Sequence, residues 1–372
     1  MLGDFGADVV KLEPRSGDPM RRMGQMRGGR SLGWAMVARN KRAITLDLER
    51  KAGLEIFHRL VGHADVLVEN FPRSLLERWR ATWEELSVIN PRLVMVSVSG
   101  FGASGPYAGR AAAGTLAEAF AGLTHMTGEA DGPPMLTSLP VGDVMTAISG
   151  VVGALAACYH RDARGGSGQH VDVSMYEPVL QLLSGSVAGF QPGDEPPHRM
   201  GSRVAGGVPR NTYRTADAHW VVVSATTDPQ VARVLRCLGL DDERHRARFA
   251  RAEDRTRAAD ELDALVAAWI SARDREFVLA TFSRERIPAS PVNDLADFVA
   301  DPHVEERSSL VLIDDAHLGP VCLVAPTPRL SATPGQIQHT GPTLGEHNAE
   351  VYREWIGIGE EELSRLVESG LV

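Results

Sequence analysis

The sequence predicts an α/β protein in which a parallel sheet with helices on its faces is joined to a smaller α+β segment. Three observations carry this reading. Between residues 9 and 99, short apolar runs alternate with helically spaced ones, the pattern of parallel strands joined by crossovers. After a Gly-rich stretch at 203–209, Trp220-Val221-Val222-Val223-Ser224 opens a separate run of strand and helix patterns that reaches about Val324. The 37 glycines and 22 prolines among 372 residues have no period, which suits a turn-rich mixed fold better than a bundle and excludes a fibrous repeat.

The elements follow in order. Met1–Phe5 reads as the end of a helix, and Val9–Glu13, stopped by Pro14, as a buried strand. Arg42–Leu48 alternates like a strand, and Lys51–Val61 has helical spacing through Leu54, Phe57, Leu60 and Val61. Ala64–Asn70 is the next strand, Ser74–Trp79 starts a helix, and Leu93–Ser99 is a further strand closed by the turn Gly100-Phe101-Gly102. From Thr115 to Leu183 the pattern is mainly helical. Ile148–Tyr159 is apolar nearly all round, which predicts a buried helix, and Gln169–Ser174 is a short strand. A Pro-rich connection at 326–334 leads to an acidic, helical end at 344–372.

At 43% hydrophobic and 23% charged, the chain can bury a sizeable core, and disorder is excluded. The net charge of −9 argues against general nucleic-acid or membrane-surface binding. The charge is uneven, however: residues 1–110 carry +5 and the remainder −14, and all three lysines (Lys11, Lys41, Lys51) lie in the first part. An anionic ligand is therefore sought there, although ordinary surface scatter gives the same arithmetic. Cys158, Cys237 and Cys322 form no C-x-x-C and are too few for a disulfide framework, which fits a reducing cytoplasm. No signal-peptide pattern is present, and the apolar stretch Ile148–Tyr159 is Gly-interrupted and shorter than a bilayer span.

Common catalytic signatures are missing: no G-x-G-x-x-G after a strand, no P-loop lysine, no H-E-x-x-H and no G-x-S-x-G. The dispersed histidines predict no metal site. Asp143 is the position that chemistry singles out, because a Gly/Pro turn delivers it to the start of the most apolar helix. Such a carboxylate is either the helix N-cap or a reactive group at the helix's positive end. Both roles remain open, since a water-poor pocket favours nucleophilic attack and donors at a helix start stabilise an oxyanion.

Several blocks, taken together, resemble the class III CoA-transferases, the CaiB/BaiF family. They are Gly6–Glu13, Asn40-Lys41-Arg42 with Leu46-Asp47-Leu48, Glu69-Asn70-Phe71, Asn90-Pro91, Ser99–Gly102 with Gly105-Pro106, Gly168-Gln169 with Val171-Asp172-Val173, and Leu344–His347. They cover essentially the whole chain in order. The resemblance implies a Rossmann-like large domain at 1–205, a small α+β domain at 206–328, a C-terminal segment at 329–372 that returns to the large domain, and an interlocked homodimer. It implies that Asp143 is the catalytic aspartate, attacking an acyl-CoA and passing through a mixed anhydride and an aspartyl-CoA thioester. CoA is then a cosubstrate, with no permanent cofactor or metal, and the partners are an acyl-CoA and a carboxylic acid. Asn70, Phe71, Arg78 and Leu46 match the family's CoA-contacting region. Arg15, Lys41 and Arg42 are candidates for the nucleotide phosphates, with a solvated surface charge as the other reading of each. Gly206-Gly207 resembles the remnant of a mobile glycine loop that closes over the aspartate in some members.

Three departures qualify the match. Family chains begin with a further strand and a turn ending Ala-Gly-Pro, so this chain reads as short by its first strand, and an inactive truncated member is one alternative. Racemases and epimerases of the fold carry Gly-His-Asp where this chain has Ala112-Ala113-Gly114, which removes the imidazole base that acts on 2-methylacyl-CoA. Gly114 also replaces an acidic residue common in transferases, while Glu118, one helical turn on, is a candidate for orienting the aspartate or the substrate, or for a purely structural place. Thr115–Leu123 resembles the subgroup acting on short dicarboxylic acids, whose distal carboxylate Arg203 or Arg210 is a candidate to hold.

Overall fold

The computed structural model describes residues 1–204 and 206–372. Its parallel strands fall into two pieces. Strand β1 (Val9–Glu13) pairs with β2 (Lys41–Thr45), in register from Val9 opposite Lys41 to Glu13 opposite Thr45. After helix α1 (Lys51–His63) come β3 (Val66–Glu69), α2 (Arg73–Arg78), α3 (Trp83–Ile89) and β4 (Val94–Ser99). Helices α4 (Gly114–Ala121) and α5 (Val141–Ala163) precede β5 (Gln169–Ser174), and α6 (Tyr176–Leu182) follows it. Strands β3, β4 and β5 make a parallel three-stranded sheet with β4 in the middle. Met1–Phe5 is a single 3-10 turn at Leu2–Phe5. Helix α3 was not anticipated, although Thr82-x-x-Glu85 forms its capping box.

Both faces of β4 are covered along Val94–Val96, which is why that half of the strand is wholly apolar. Leu93 and Met95 join Ile44, Leu46, Ile56, Phe57, Leu60 and Leu86 in one core, together with Val351, Tyr352 and Ile356 of the helix Asn348–Ile356. Val94 and Val96 pack on the other side with Val173 and with Ala154 and Ala157 of α5.

Helix α5 differs from its expectation. Gly142, Thr146, Gly150, Ala154, Ala157 and Arg161 form its buried stripe, and small residues there let it lie close to the sheet: a Cβ on Gly153 would stand 2.7 Å from Val171 Cγ1. Its larger apolar residues face outward, with Val144, Val152, Leu155 and Tyr159 all more than half exposed. All-round apolarity therefore marks a helix with two apolar faces, of which the described residues of the first unit cover one. At 23 residues α5 is also long and apolar enough to cross a membrane by length and composition, unlike the shorter stretch read from the sequence. Its buried Arg161, which donates to the carbonyl of Arg92 at 2.9 Å and pairs with Asp65 and Asp162, fastens it to the sheet.

The chain divides into two compact units. The first comprises 1–121, 139–184 and 302–372, and the second comprises 122–138 and 185–301. The second unit holds an antiparallel sheet with Trp220–Ser224 between Arg210–Arg214 and Ala289–Pro291, backed by helices Asp228–Cys237, Ala259–Ser271 and Arg275–Arg284. These boundaries differ from those read at 205/206 and 328/329. Arg199 donates to the carbonyls of His125 and Gly132, drawing 122–138 into the second unit. The hairpin Leu310–Asp315 and Gly319–Val324 packs with Leu32 and Ala35 of the first. Ala205, the last residue of the expected large domain, lies outside the described residues.

Candidate active site

Two helix starts meet at Asp143. Helix α5 begins at Val141, so Asp143 is its third residue and not its N-cap, a position that Pro140 holds without a side-chain bond. The acceptor a cap would supply comes instead from α4: the wholly buried Glu118 accepts the Gly142 N–H through Oε1 at 2.9 Å. Thr146 Oγ1 donates to the Gly142 carbonyl at 2.7 Å and closes the first turn. Gly114, the first residue of α4, abuts both, since a Cβ on Gly142 would stand 2.7 Å from the Gly114 carbonyl oxygen.

The Asp143 side chain is exposed, and no hydrogen bond from another described residue reaches its carboxylate. Its oxygens are thus unengaged, while the positive end of a long helix favours both the anion and negative charge developing beside it. This is what a carboxylate nucleophile requires. A turn secured by Ser99 Oγ, which accepts the Gly102 N–H, and by Asp172, which accepts the Ala103 N–H, carries Phe101 in the same unit. Phe101, Tyr107, Phe120 and Tyr176 form a mutually edge-packed aromatic group beside α4. No sequence period marks it, because its members come from four separate segments.

The candidates for CoA contact divide. Asn70 and Phe71 are exposed just past the carboxyl end of β3, and Phe71 packs edge-on against Trp79 with ring centroids 5.1 Å apart. Glu49 accepts from both Arg78 (2.9 Å) and Trp79 Nε1 (3.2 Å), which brings α2 to the loop after β2. At that loop Arg50 donates to the Ser369 carbonyl at 2.8 Å and the Asp47 N–H donates to the Leu371 carbonyl, while Arg15 donates to the neighbouring Gly370 carbonyl at 3.4 Å. Arg15, Arg50 and Arg78 therefore surround one loop at the carboxyl ends of strands, where open α/β sheets bind ligands. Arg50 and Trp79 were not found from the sequence, because neither lies in a family block or an apolar period.

Lys41, Arg42 and Leu46 are placed otherwise. Lys41 and Arg42 open β2 at its amino end, about 13 Å along the strand from Thr45. Burial and the neighbouring Lys11 push the Lys41 ammonium down from its ordinary value. Arg42 is engaged by Asp8, Glu350 and Glu354, three carboxylates that hold it firmly protonated and occupy its donors. Leu46 is 1% exposed in the core and gives its N–H to the Glu13 carbonyl, so its side chain offers a ligand nothing.

Gly206 and Gly207 belong to the second unit, where they line a cavity of about 220 Å³ with Arg203, Arg210 and Asp263. Gly206 has φ +82°, and Gly207 lies where a Cβ would stand 2.4 Å from Thr226 Cγ2, so neither position tolerates a side chain without rearrangement. Arg203 pairs with Asp263 at 2.6 Å and Asp260 at 2.7 Å, so a substrate carboxylate there would compete with both. Asp263 also accepts from Tyr213 and Asn211, and burial, followed by that hydrogen bond to Asp263, pushes the Tyr213 hydroxyl well above its ordinary range. No group of three or more metal-ligating side chains occurs among the described residues.

The sequence profile of CoA-transferase family III matches residues 1–348. Succinyl-CoA–D-citramalate CoA-transferase of Chloroflexus aurantiacus is 38% identical over 368 residues, covering 98% of this chain and 91% of the relative. Succinate–glutarate CoA-transferase of Agrobacterium fabrum is 33% identical over 95% of this chain and 90% of its own length. Among solved structures, a CaiB/BaiF family protein from Brucella suis superposes with a TM-score of 0.81 at 30% identity, covering 95% of this chain and 93% of that one.

Proposed function

The chain belongs to CoA-transferase family III, and from that premise we propose that it moves CoA from an acyl-CoA donor to a short dicarboxylic acid through covalent intermediates on Asp143. The observation that carries this reading is the exposed Asp143 carboxylate, free of hydrogen bonds from the described residues and set in the first turn of α5. A carboxylate oxygen attacks the donor thioester carbon, the C–S bond breaks, and CoA leaves as thiolate from a mixed anhydride. The thiolate attacks the aspartyl carbonyl of that anhydride, releasing the donor acid and leaving an aspartyl-CoA thioester. The acceptor carboxylate then displaces the thiolate to form a second anhydride, and the returning thiolate takes the acceptor acyl group and frees Asp143. Each bond formed is matched by one broken, with no redox change and no net proton transfer. The chemistry needs a carboxylate because only an acyl-activated group keeps the thioester's free energy while CoA changes partners.

Relatives that act on citramalate, malate and glutarate support the dicarboxylate class. A racemase reading finds no support, because Ala113 and Gly114 supply no base beside Asp143. We also propose that the enzyme is a cytoplasmic homodimer of the interlocked type. In support, the outward apolar face of α5, with Val144, Val152, Leu155 and Tyr159, is surface that a second copy would cover. The three cysteines are unpaired, as a reducing compartment requires.

Trapping tests the mechanism. Incubation with succinyl-CoA followed by hydroxylamine should convert Asp143 to its hydroxamate, read by peptide mass. Label on any other residue, or none, rejects the scheme. For CoA binding we propose Arg15, Arg50, Asn70, Phe71 and Arg78. Arg78→Ala is expected to raise KM for succinyl-CoA about tenfold with kcat unchanged, the loss of one exposed charge-assisted contact. Lys41→Ala, at the other end of β2, should leave KM within about twofold in the same steady-state assay.

A further inference from the structure

We propose that Gly114 is a positioning residue for the nucleophile: lacking a Cβ, it lets the start of α4 lie against one face of the Asp143 carboxylate and so sets the plane from which that carboxylate attacks. The proposal rests on Asp143 being the nucleophile, as proposed above.

A Cβ built on Gly114 would stand 2.8 Å from Asp143 Cγ, 2.8 Å from Oδ1 and 2.8 Å from Oδ2, where ordinary contact begins at about 3.4 Å. A point equally far from all three atoms at that range lies above the carboxylate and not in its plane, because the one equidistant in-plane point sits close to the oxygens at near-bonding range. The oxygen lone pairs are directed in the plane. Gly114 therefore caps a face of the group while leaving its attacking electrons uncovered. No hydrogen bond from the described residues performs this orientation, which would otherwise draw electron density from the oxygens. Shape sets the plane, and nucleophilicity is kept.

The backbone itself does not ask for glycine. Gly114 is absent from the residues with positive φ, so an L-residue can adopt its conformation. In the first turn of a helix, alanine is normally the more favourable residue, by reducing the freedom of the unfolded chain. What excludes alanine is the space, and that space is held by the functional carboxylate. Gly142 is the companion requirement, since its missing Cβ lets the two helix starts touch at the Gly114 carbonyl. Because the obstacle at Gly114 is the far end of a short side chain, Gly114→Ala can fold by swinging the carboxylate aside.

Two measurements on the full chain test this. With succinyl-CoA as donor, Gly114→Ala is expected to lower kcat about tenfold or more with KM for the donor within about twofold, and to slow single-turnover labelling of Asp143 by the same factor. In thermal melts, Gly114→Ala should lower Tm in the wild-type background, and leave it unchanged or raise it when Asp143 is already alanine. A kcat within about threefold of wild type, or an equal Tm change in both backgrounds, overturns the proposal. The melts need no chemistry. If the wild-type enzyme takes no label at Asp143, the nucleophile reading fails, while the coupling between positions 114 and 143 still reports whether the contact exists.

Discussion

Asp143→Ala is expected to lower kcat for CoA transfer by at least about 10³-fold while succinyl-CoA still binds with near wild-type affinity. Every covalent step of the proposed cycle passes through this carboxylate, so nothing short of a replacement nucleophile sustains turnover. Glu118, bonded to the residue before Asp143, is no replacement: it is wholly buried and its Oε1 is taken by the Gly142 N–H. The loss is not a folding effect, because Asp143 is exposed and contributes no hydrogen bond among the described residues. Its removal forfeits only the attraction of an acid for a helix start, about 0.3–1 kcal/mol. Asp143→Asn, which keeps the shape against Gly114 and replaces the nucleophilic oxygen pair with an amide, should fall as far as alanine. Turnover of either variant within about tenfold of wild type, with donor binding measured calorimetrically as a control, would falsify the covalent scheme.

Much of the first unit was legible because burial writes a short code. Strands covered on both faces, as at Val94–Ser99, are largely apolar, here with Val94, Met95 and Val96 fully buried, and crossover helices such as Lys51–His63 show one apolar stripe. The same code failed at Val141–Ala163. Its small residues face the sheet and its large ones face outward, and no period tells an apolar face packed within the first unit from one that is not. The Trp83–Ile89 helix was hidden because only Leu86 is buried, although its capping box was written at Thr82 and Glu85. Arg210–Arg214 was missed as a strand because polar side chains alternate with few apolar ones. At the site, Asp143 stood out from its turn and helix and Glu118 from its place one turn beyond Gly114, but how closely the two helix starts approach did not. Gly114, Glu118 and Gly142 matter through approaches between two helix starts, which sequence distance conceals. Charge alone does not sort the arginines, since Arg42, Arg78 and Arg203 read the same in the sequence although three, one and two carboxylates respectively hold them.

Glu118 allows position to be separated from charge. Glu118→Ala removes the acceptor of the buried Gly142 N–H and opens space in a site with no access to water, which together should cost about 2–4 kcal/mol of stability. The first turn of α5 then loses the bond that holds Gly142 against α4, and Asp143 is the next residue. A displacement of about 1 Å at a reacting group is enough to cost about 10²-fold in kcat, and that loss is expected here with donor KM little changed. Glu118→Gln keeps an oxygen acceptor of the same reach and discards the charge. It should therefore retain kcat within about tenfold of wild type and recover most of the stability lost by alanine, as read by urea denaturation with an unchanged slope. The comparison decides what Glu118 does, because a group that acted through its charge would fail equally as glutamine and as alanine. Equal failure in kcat, with the glutamine variant folded, would show that the hydrogen bond to Gly142 is not what places the nucleophile.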